Sequence, residues 1–396
     1  MASSKRNKQL YIDAEALSTL ALVQEGLISP VSRLMTQAEA IEVRETKMYK
    51  GVPFPFPFLL TPKGKRNEEC ISNLEKGEVV DLINDNNHVG RLTVDETFIV
   101  EVDERLKCIY GTSDKSHPGV QNTIKRIGRI AISGEYEVKY PLIAGTKRMV
   151  QRKIEEQNAT KISSLVLSAS PLNRAHERMI RQAIEHSDLV VLFLLKPFNT
   201  SGLRYDIRYN AMMTFIENFI PQNKVIVVPL ENSYIFAGYN ELILDALVAK
   251  NYGCTHLIVG NHHAGLGLFY DQDKLNSIFD VAENMQIKVK TAEQYVYCNK
   301  CRTLVAPRTC PHGQHHHIHY HSPSILQLIH AGMMPPSILV RREVSATILS
   351  TLFPDRFERL QELYDALVPN EGLIEEHSEE DFYIKLMGLY QTSSLT

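Results

Sequence analysis

Between residues 163 and 291, short apolar runs alternate with amphipathic helical segments, and this alternation constrains the fold more than any other feature of the chain. Strands are expected at residues 165–168, 189–195, 224–228, 255–259 and 287–291, and helices at 174–185, 208–218 and 241–250. A strand followed by a crossover helix re-enters its sheet in the same direction, because the helix carries the chain back across one face. The segment therefore reads as α/β, a doubly wound parallel sheet. Ligands of such sheets sit at the carboxyl ends of the strands.

The preceding residues follow a different pattern. Helical stretches are expected at 14–24 and 36–42, followed by the extended segment VPFPFPFLLTP at 52–62. Alternating Pro and Phe suit neither a helix interior nor a central strand, so this piece is expected at a sheet edge. The runs GEVVDLINDNNHVGRLTV, TFIVEVDERLKCIYGTSD and GRIAISGEYEVKYPL then alternate in the manner of a small β-rich barrel or sandwich. After a Cys/His-rich loop the tail turns helical from residue 324. With 396 residues the chain is too long for one ordinary core. Three regions are expected: an N-terminal domain over 1–160, an α/β domain over 161–323 that includes the loop 296–316, and a helical subdomain over 324–396.

Net charge of −3 gives no global basic field, and no aromatic-basic cluster is present, so a nucleic-acid partner is not expected. No apolar run approaches a membrane span, and the basic start MASSKRNK lacks the apolar core of a secretory signal. A cytoplasmic protein without a membrane partner is the expectation.

Two segments carry chemistry. The first is LVLSASPLNRAHERMIRQAI, residues 165–184. A strand, a Pro turn and a helix start follow one another there, so the stretch from Ser168 to Asn173 falls at the carboxyl end of the first strand. Helix-start amides favour anions, and His176 on the first turn can donate to a phosphate oxygen. The second is Cys298-x-x-Cys301, followed by Cys310, with His312 and His315 both in reach of a fourth position. Three thiolates and an imidazole suit a closed, tetrahedral structural zinc site. His117, followed by Pro118-Gly119, reads as part of a turn.

These segments resemble the ATP sulfurylase (sulfate adenylyltransferase) family. IYGTSDKSHPGV (109–120) is similar to its G-T-x-D-x-x-H-P-G-V stretch, and ALVAKNYGCTHLIVGNHHAGLG (246–267) to its N-Y-G-C-T-H-x-I-V-G-R-D-H-A-G-x-G. VYCNKCRTLVAPRTCPH (296–312) looks like its zinc-bearing loop, and HAGMMPPSILVRREVSATIL (330–349) like the segment that follows. The resemblance implies a PUA-like barrel, a nucleotidyltransferase domain and a small helical end, with no kinase-like module expected. It also implies ATP with Mg²⁺, sulfate or another acidic acceptor, structural zinc and a homo-oligomer.

The resemblance also fixes where this chain departs. The family loop Q-x-R-N-P-x-H-x-x-H holds sulfate through Gln and Arg, and the ATP phosphates through Asn and both His. The matching positions here are Leu167, Ala169, Ser170, Asn173 and His176, and Pro171 keeps the turn. The resemblance places Asn173 and His176 in catalysis. It assigns Ser168, Ser170, Asn261, His263, Ala264 and Gly265 to the nucleotide, with Asn261 standing where the family has Arg. Leu167, Ala169, Lys196 and His262 fall at the acceptor. Ile235 and Asn240 replace arginines of a further family motif, and YHSPSIL (320–326) lacks the family's Gly, Thr, Lys and Arg. Lys196, Arg204, Arg208 and Arg174 remain as nearby cations, while Arg341-Arg342 is expected to be a solvated pair. Three outcomes stay open: a different acceptor against an apolar wall, binding without catalysis, or sulfate activation through replacement ligands such as His262 or Lys196.

Overall fold

A computed structural model describes residues 7–198, 202–236, 240–260, 285–368 and 376–391. The chain forms two compact units: Met1–Ser164 with Val228–Thr291, and Leu165–Val227 with Ala292–Thr396.

The N-terminal part runs β1 (Lys8–Tyr11), α1 (Ala14–Gln24), α2 (Gln37–Thr46), β2 (Met48–Tyr49), β3 (Val52–Pro53), β4 (Leu60–Pro62) and α3 (Lys65–Ser72). It continues through β5 (Val79–Asn84), β6 (Asn87–Ile99), α4 (Val102–Tyr110), α5 (Pro118–Thr123), β7 (Ile127–Val138) and α6 (Pro141–Gln157). Its five-stranded sheet has the order β1-β5-β6-β7-β4. The β5–β6 hairpin turns at Asp85 and Asn86, with φ of 46° and 63°. Asp and Asn tolerate the left-handed region that a two-residue hairpin turn requires. The Pro/Phe segment, expected to be extended, forms strands at its two ends, β3 and β4, with no regular element between them. Phe54, Phe56 and Phe58 are buried, and β4 ends on the sheet edge, where Pro62 does not need to donate to a neighbour.

The structure corrects one part of the strand reading. Residues 102–110, read as part of an alternating β run, form α4. Asp103 and Glu104 favour the positive end of the helix, Leu106, Ile109 and Tyr110 form a buried stripe, and Gly111 closes it at φ 75°. His117 caps α5, its Nδ1 accepting from the amides of Gly119 and Val120. The sequence suggested a turn at Pro118-Gly119; the structure begins a helix there, with His117 in a structural role.

The second sheet uses β8 (Ile162–Leu167), β9 (Leu189–Pro197), β10 (Val225–Asn232), β11 (His256–Val259) and β12 (Lys288–Thr291), interspersed with α7 (Arg174–Glu185), α8 (Tyr205–Phe219) and α9 (Asn240–Asn251). The order is β10-β9-β8-β11-β12, and β11 pairs in parallel with β12. All six residues of β8 are buried, as are residues 189–194 of β9, which explains their continuous apolar character. The chain steps outward from β8 through β9 to β10, then resumes on the other side of β8. The order therefore reverses at β8, and the loop that follows β8 lies at the switch point where open α/β sheets bind ligands.

Downstream, β13 (Val296–Cys298), β14 (Thr303–Val305) and β15 (His317–Ile318) form a small antiparallel sheet. Helices follow at Ser322–His330, Arg342–Leu352, Leu360–Leu367 and Glu379–Gln391. No helix among the described residues is long and apolar enough to cross a membrane.

Candidate functional site

The loop after β8 is tightly fixed. Leu167 and Ala169, whose side chains carry no polar group, are 5% and 1% exposed. Ala169 adopts φ 46°, and Ser170-Pro171 is cis. The Ser170 hydroxyl accepts from the Leu203 amide at 3.1 Å. Gly202 passes so close that a Cβ there would lie 2.8 Å from Ser170 Oγ, and at φ 112° only glycine fits comfortably.

Asn173 is the N-cap of α7. Its Oδ1 accepts from the amides of Ala175 and His176 at 3.0 and 3.1 Å. The Asn173 amide donates to His176 Nδ1 at 3.2 Å, and the Arg174 amide to the Leu339 carbonyl at 2.9 Å. The four amides at this helix start are therefore all used within the protein. The sequence suggested free helix-start amides for an anion; the cap and residue 339 occupy them instead. Any hydrogen-bond recognition here falls to side chains.

His176 is the first of these. Desolvation lowers its pKa from 6.5 to about 4. Because Nδ1 accepts the Asn173 amide, the neutral ring carries its proton on Nε2. The loop thus holds a fixed N–H donor without a positive charge.

Arg208, on α8, is the second. It is 3% exposed; Nε donates to the Leu203 carbonyl at 2.9 Å and Nη1 to the Ser168 carbonyl at 2.6 Å. Burial lowers its pKa, with the neighbouring Tyr205 acting in the opposite direction. The other nearby cations are differently placed. Arg204 pairs with Asp206 at 2.6 Å, and Lys196 lies 5.9 Å from the Tyr205 ring centroid.

Behind the loop, Glu177 collects three arginines. Arg341 binds it through Nη2 and Nε at 2.5 and 2.8 Å, Arg174 at 3.1 Å and Arg181 at 3.2 Å. Burial alone would raise the Glu177 pKa, but the hydrogen bonds and charge of Arg341, then of Arg174, hold it below 4.5. Arg341 also stacks 3.7 Å from the Phe219 ring centroid. It is therefore not the solvated residue that the sequence suggested.

The Cys/His loop gathers as its spacing predicts. Cys298, Cys301, Cys310 and His312 place one ligand atom each within 4.8 Å of one another. His312 Nδ1 lies 3.4, 3.2 and 3.7 Å from the three sulfurs, and Cys301 and Cys310 sulfurs are 3.9 Å apart. Tetrahedral zinc with bonds of about 2.3 Å to sulfur and 2.0 Å to nitrogen separates its ligands by roughly 3.5–3.8 Å, so the donor set fits. His315 is outside this group, its ring against that of His316 with centroids 4.1 Å apart.

The ATP-sulfurylase family model matches residues 143–351, just over half of the chain, and the PUA-like domain model matches residues 1–140. The chain belongs to the ATP-sulfurylase family. As a member of that family it is a transferase enzyme. A sulfate adenylyltransferase of Chloroflexus aurantiacus is 30% identical over 349 residues, covering 86% of this chain and 90% of that protein. One from Halothermothrix orenii is 28% identical over 354 residues, covering 86% and 91%. Among solved structures, a hexameric APS kinase from Thiobacillus denitrificans matches with a TM-score of 0.66 at 19% identity. The match covers 90% of this chain and 64% of that one, so this chain spans less than two thirds of that protein, and the likeness is one of fold.

Within the ATP-sulfurylase frame, the structure gathers Leu167, Ser168, Ala169, Ser170, Asn173 and His176 in one loop and brings Arg208 beneath it. Asn240 is engaged elsewhere: its amide nitrogen donates to the carbonyls of Cys108 and Ile109 at 2.8 and 3.0 Å. Asn261, His262, His263, Ala264 and Gly265 lie outside the described residues.

Proposed function

We propose that this protein transfers AMP from ATP to an oxyanion acceptor, sulfate or a related acidic group, with release of pyrophosphate. The observation that carries this reading is His176, held as a neutral Nε2–H donor at the head of α7, in the loop where the strand order reverses. In this reaction an acceptor oxygen attacks the α-phosphorus and the bond to the β-phosphate oxygen breaks. No protein nucleophile is needed, so catalysis rests on positioning and on stabilising negative charge. His176 supplies a donor to the phosphates that requires no reorganisation. Asn173 acts through it, as the cap that fixes the imidazole. Mg²⁺ would arrive with the ATP phosphates and neutralise part of their charge; among the described residues the only cluster suited to a metal is the Cys/His group.

Zinc held by Cys298, Cys301, Cys310 and His312 would brace β13 and its loop, with every position filled by protein and none open for substrate. The domain reading keeps a PUA-like barrel ahead of the transferase region, with a helical end after it. A cytoplasmic homo-oligomer completes the proposal; the hexameric state of the similarly folded APS kinase from Thiobacillus denitrificans is the support for assembly.

One observation favours a second reading, nucleotide or anion binding without sulfate activation: the buried Leu167 and Ala169 offer no donor where the family presents Gln and Arg. ATP–pyrophosphate exchange, run with sulfate and a panel of other oxyanions, separates the two. Exchange dependent on an oxyanion and lost in His176→Ala supports adenylyl transfer. ATP binding with no exchange under any acceptor refutes it.

A further inference from the structure

A buried arginine without an acidic partner is expensive to keep, because its desolvation is not returned by an ion pair. Arg208 is such a residue. Its contacts are two backbone carbonyls and the nearby Tyr205 ring, and no carboxylate pairs with it among the described residues. Nε and Nη1 are engaged, whereas Nη2 has no hydrogen-bond partner there and is not among the side-chain atoms sealed from solvent without one. Burial lowers its pKa, yet an arginine guanidinium stays protonated at any working pH.

Its attachment point gives the charge a purpose. Arg208 binds the carbonyl of Ser168, the residue between Leu167 and Ala169, and these two occupy the positions where the resemblance places acceptor ligands. Leu167 and Ala169 offer no donor, the helix-start amides are occupied, and the other local arginines are each paired: Arg204 with Asp206, and Arg174, Arg181 and Arg341 with the one carboxylate of Glu177. We propose that Arg208 holds the acceptor oxyanion, donating from Nη2 while Nε and Nη1 fix the guanidinium under the Ser168 carbonyl. A single guanidinium edge beside the Ser168 carbonyl selects a small, compact oxyanion. It offers little to a ligand that needs several donors.

The inference rests on the acceptor reading of the loop, and binding measurements test it apart from turnover. Sodium sulfate, selenate, thiosulfate and phosphate are titrated calorimetrically into the full chain, its Arg208→Gln variant and its Arg208→Lys variant, and Mg·ATP is titrated separately. Losing a charged hydrogen bond weakens binding on the order of 10- to 100-fold. The proposal expects that loss for the oxyanion in Arg208→Gln, a smaller loss in Arg208→Lys, and ATP affinity unchanged within about threefold. Added guanidinium chloride should restore part of the oxyanion affinity in Arg208→Gln, which a mere loop staple would not show. Equal weakening for ATP and oxyanion, loss for ATP alone, or unaltered oxyanion binding in a folded variant would overturn it. So would the absence of binding for every oxyanion in the wild type. ATP–pyrophosphate exchange in the wild type then decides the proposed reaction independently. Should Arg208→Gln not fold, the same comparison is made with Arg208→Lys.

Discussion

Glu177→Gln should destabilise the protein by about 3 kcal/mol at neutral pH, because it strands a buried positive charge. The carboxylate side chain is 11% exposed and Arg341 19% exposed, so this pair is desolvated at both ends. Breaking one side of a buried pair costs about 3–5 kcal/mol, and the residual exposure of Arg341 places the effect at the lower end. Arg174 and Arg181, at 27% and 39% exposed, add little. For a unit of this size the loss corresponds to roughly 6–12 °C in Tm. The pH dependence follows from the direction of the shift. Glu177 titrates below 4.5 in the folded protein, so its contribution is complete above the unfolded value and disappears as pH falls through the folded one. Scanning calorimetry of wild type and variant from pH 7 down to pH 4 should therefore show a gap that narrows with acid. A variant melting within about 1 °C of wild type at pH 7, or a gap that widens on acidification, would refute the reasoning.

The metal site predicts about one zinc per chain by elemental analysis, with Cys298→Ser losing the metal and His315→Ala keeping it, since His315 is outside the ligand group. His176, with a pKa of about 4, should give turnover no His-dependent step between pH 5.5 and 8, and His176→Ala should lower turnover at least tenfold. Its lowered pKa also makes stability rise with pH between about 4 and 6.5, where the unfolded chain binds the extra proton, and His176→Gln should flatten that rise in a urea titration. Asn173→Ala removes a cap and should cost about 1 kcal/mol by chemical denaturation, with a smaller loss of turnover than His176→Ala.

The strands and helices of the α/β region were legible because their apolar residues recur at the periods the elements need. β8 and β9 read as continuous apolar runs since both of their faces are covered. Residues 102–110 were harder. Viewed locally, Ile99, Val100 and Val102 continue the β alternation, and only the capping Gly111 and the acidic first turn mark a helix. The metal group was readable from spacing; the choice of His312 over His315 was not, because loop geometry alone decides it. Two features of the loop had no sequence signal. Asn173 looks like a ligand in a motif, yet its carbonyl oxygen closes the helix start, and the Arg174 amide is taken by Leu339, 165 residues later. Glu177 and Arg341, 164 residues apart, likewise meet only in the fold. The sequence could name Arg208 as a nearby cation but not as one buried without a carboxylate.

The interleaving of the two compact units has a consequence for biosynthesis. The first unit needs Met1–Ser164 and also Val228–Thr291, while the second begins at Leu165 and is finished by Ala292–Thr396. A ribosome therefore delivers the parts out of register with the units they build. The barrel-bearing half must wait for β11 and β12, which emerge on the order of ten seconds after residue 164 at typical elongation rates. During that interval the apolar strands β8 and β9 are already outside the exit tunnel, while β11, the other neighbour of β8, is still missing. A nascent chain stalled near residue 230 should be a chaperone client and a protease target, whereas the folded protein should be neither.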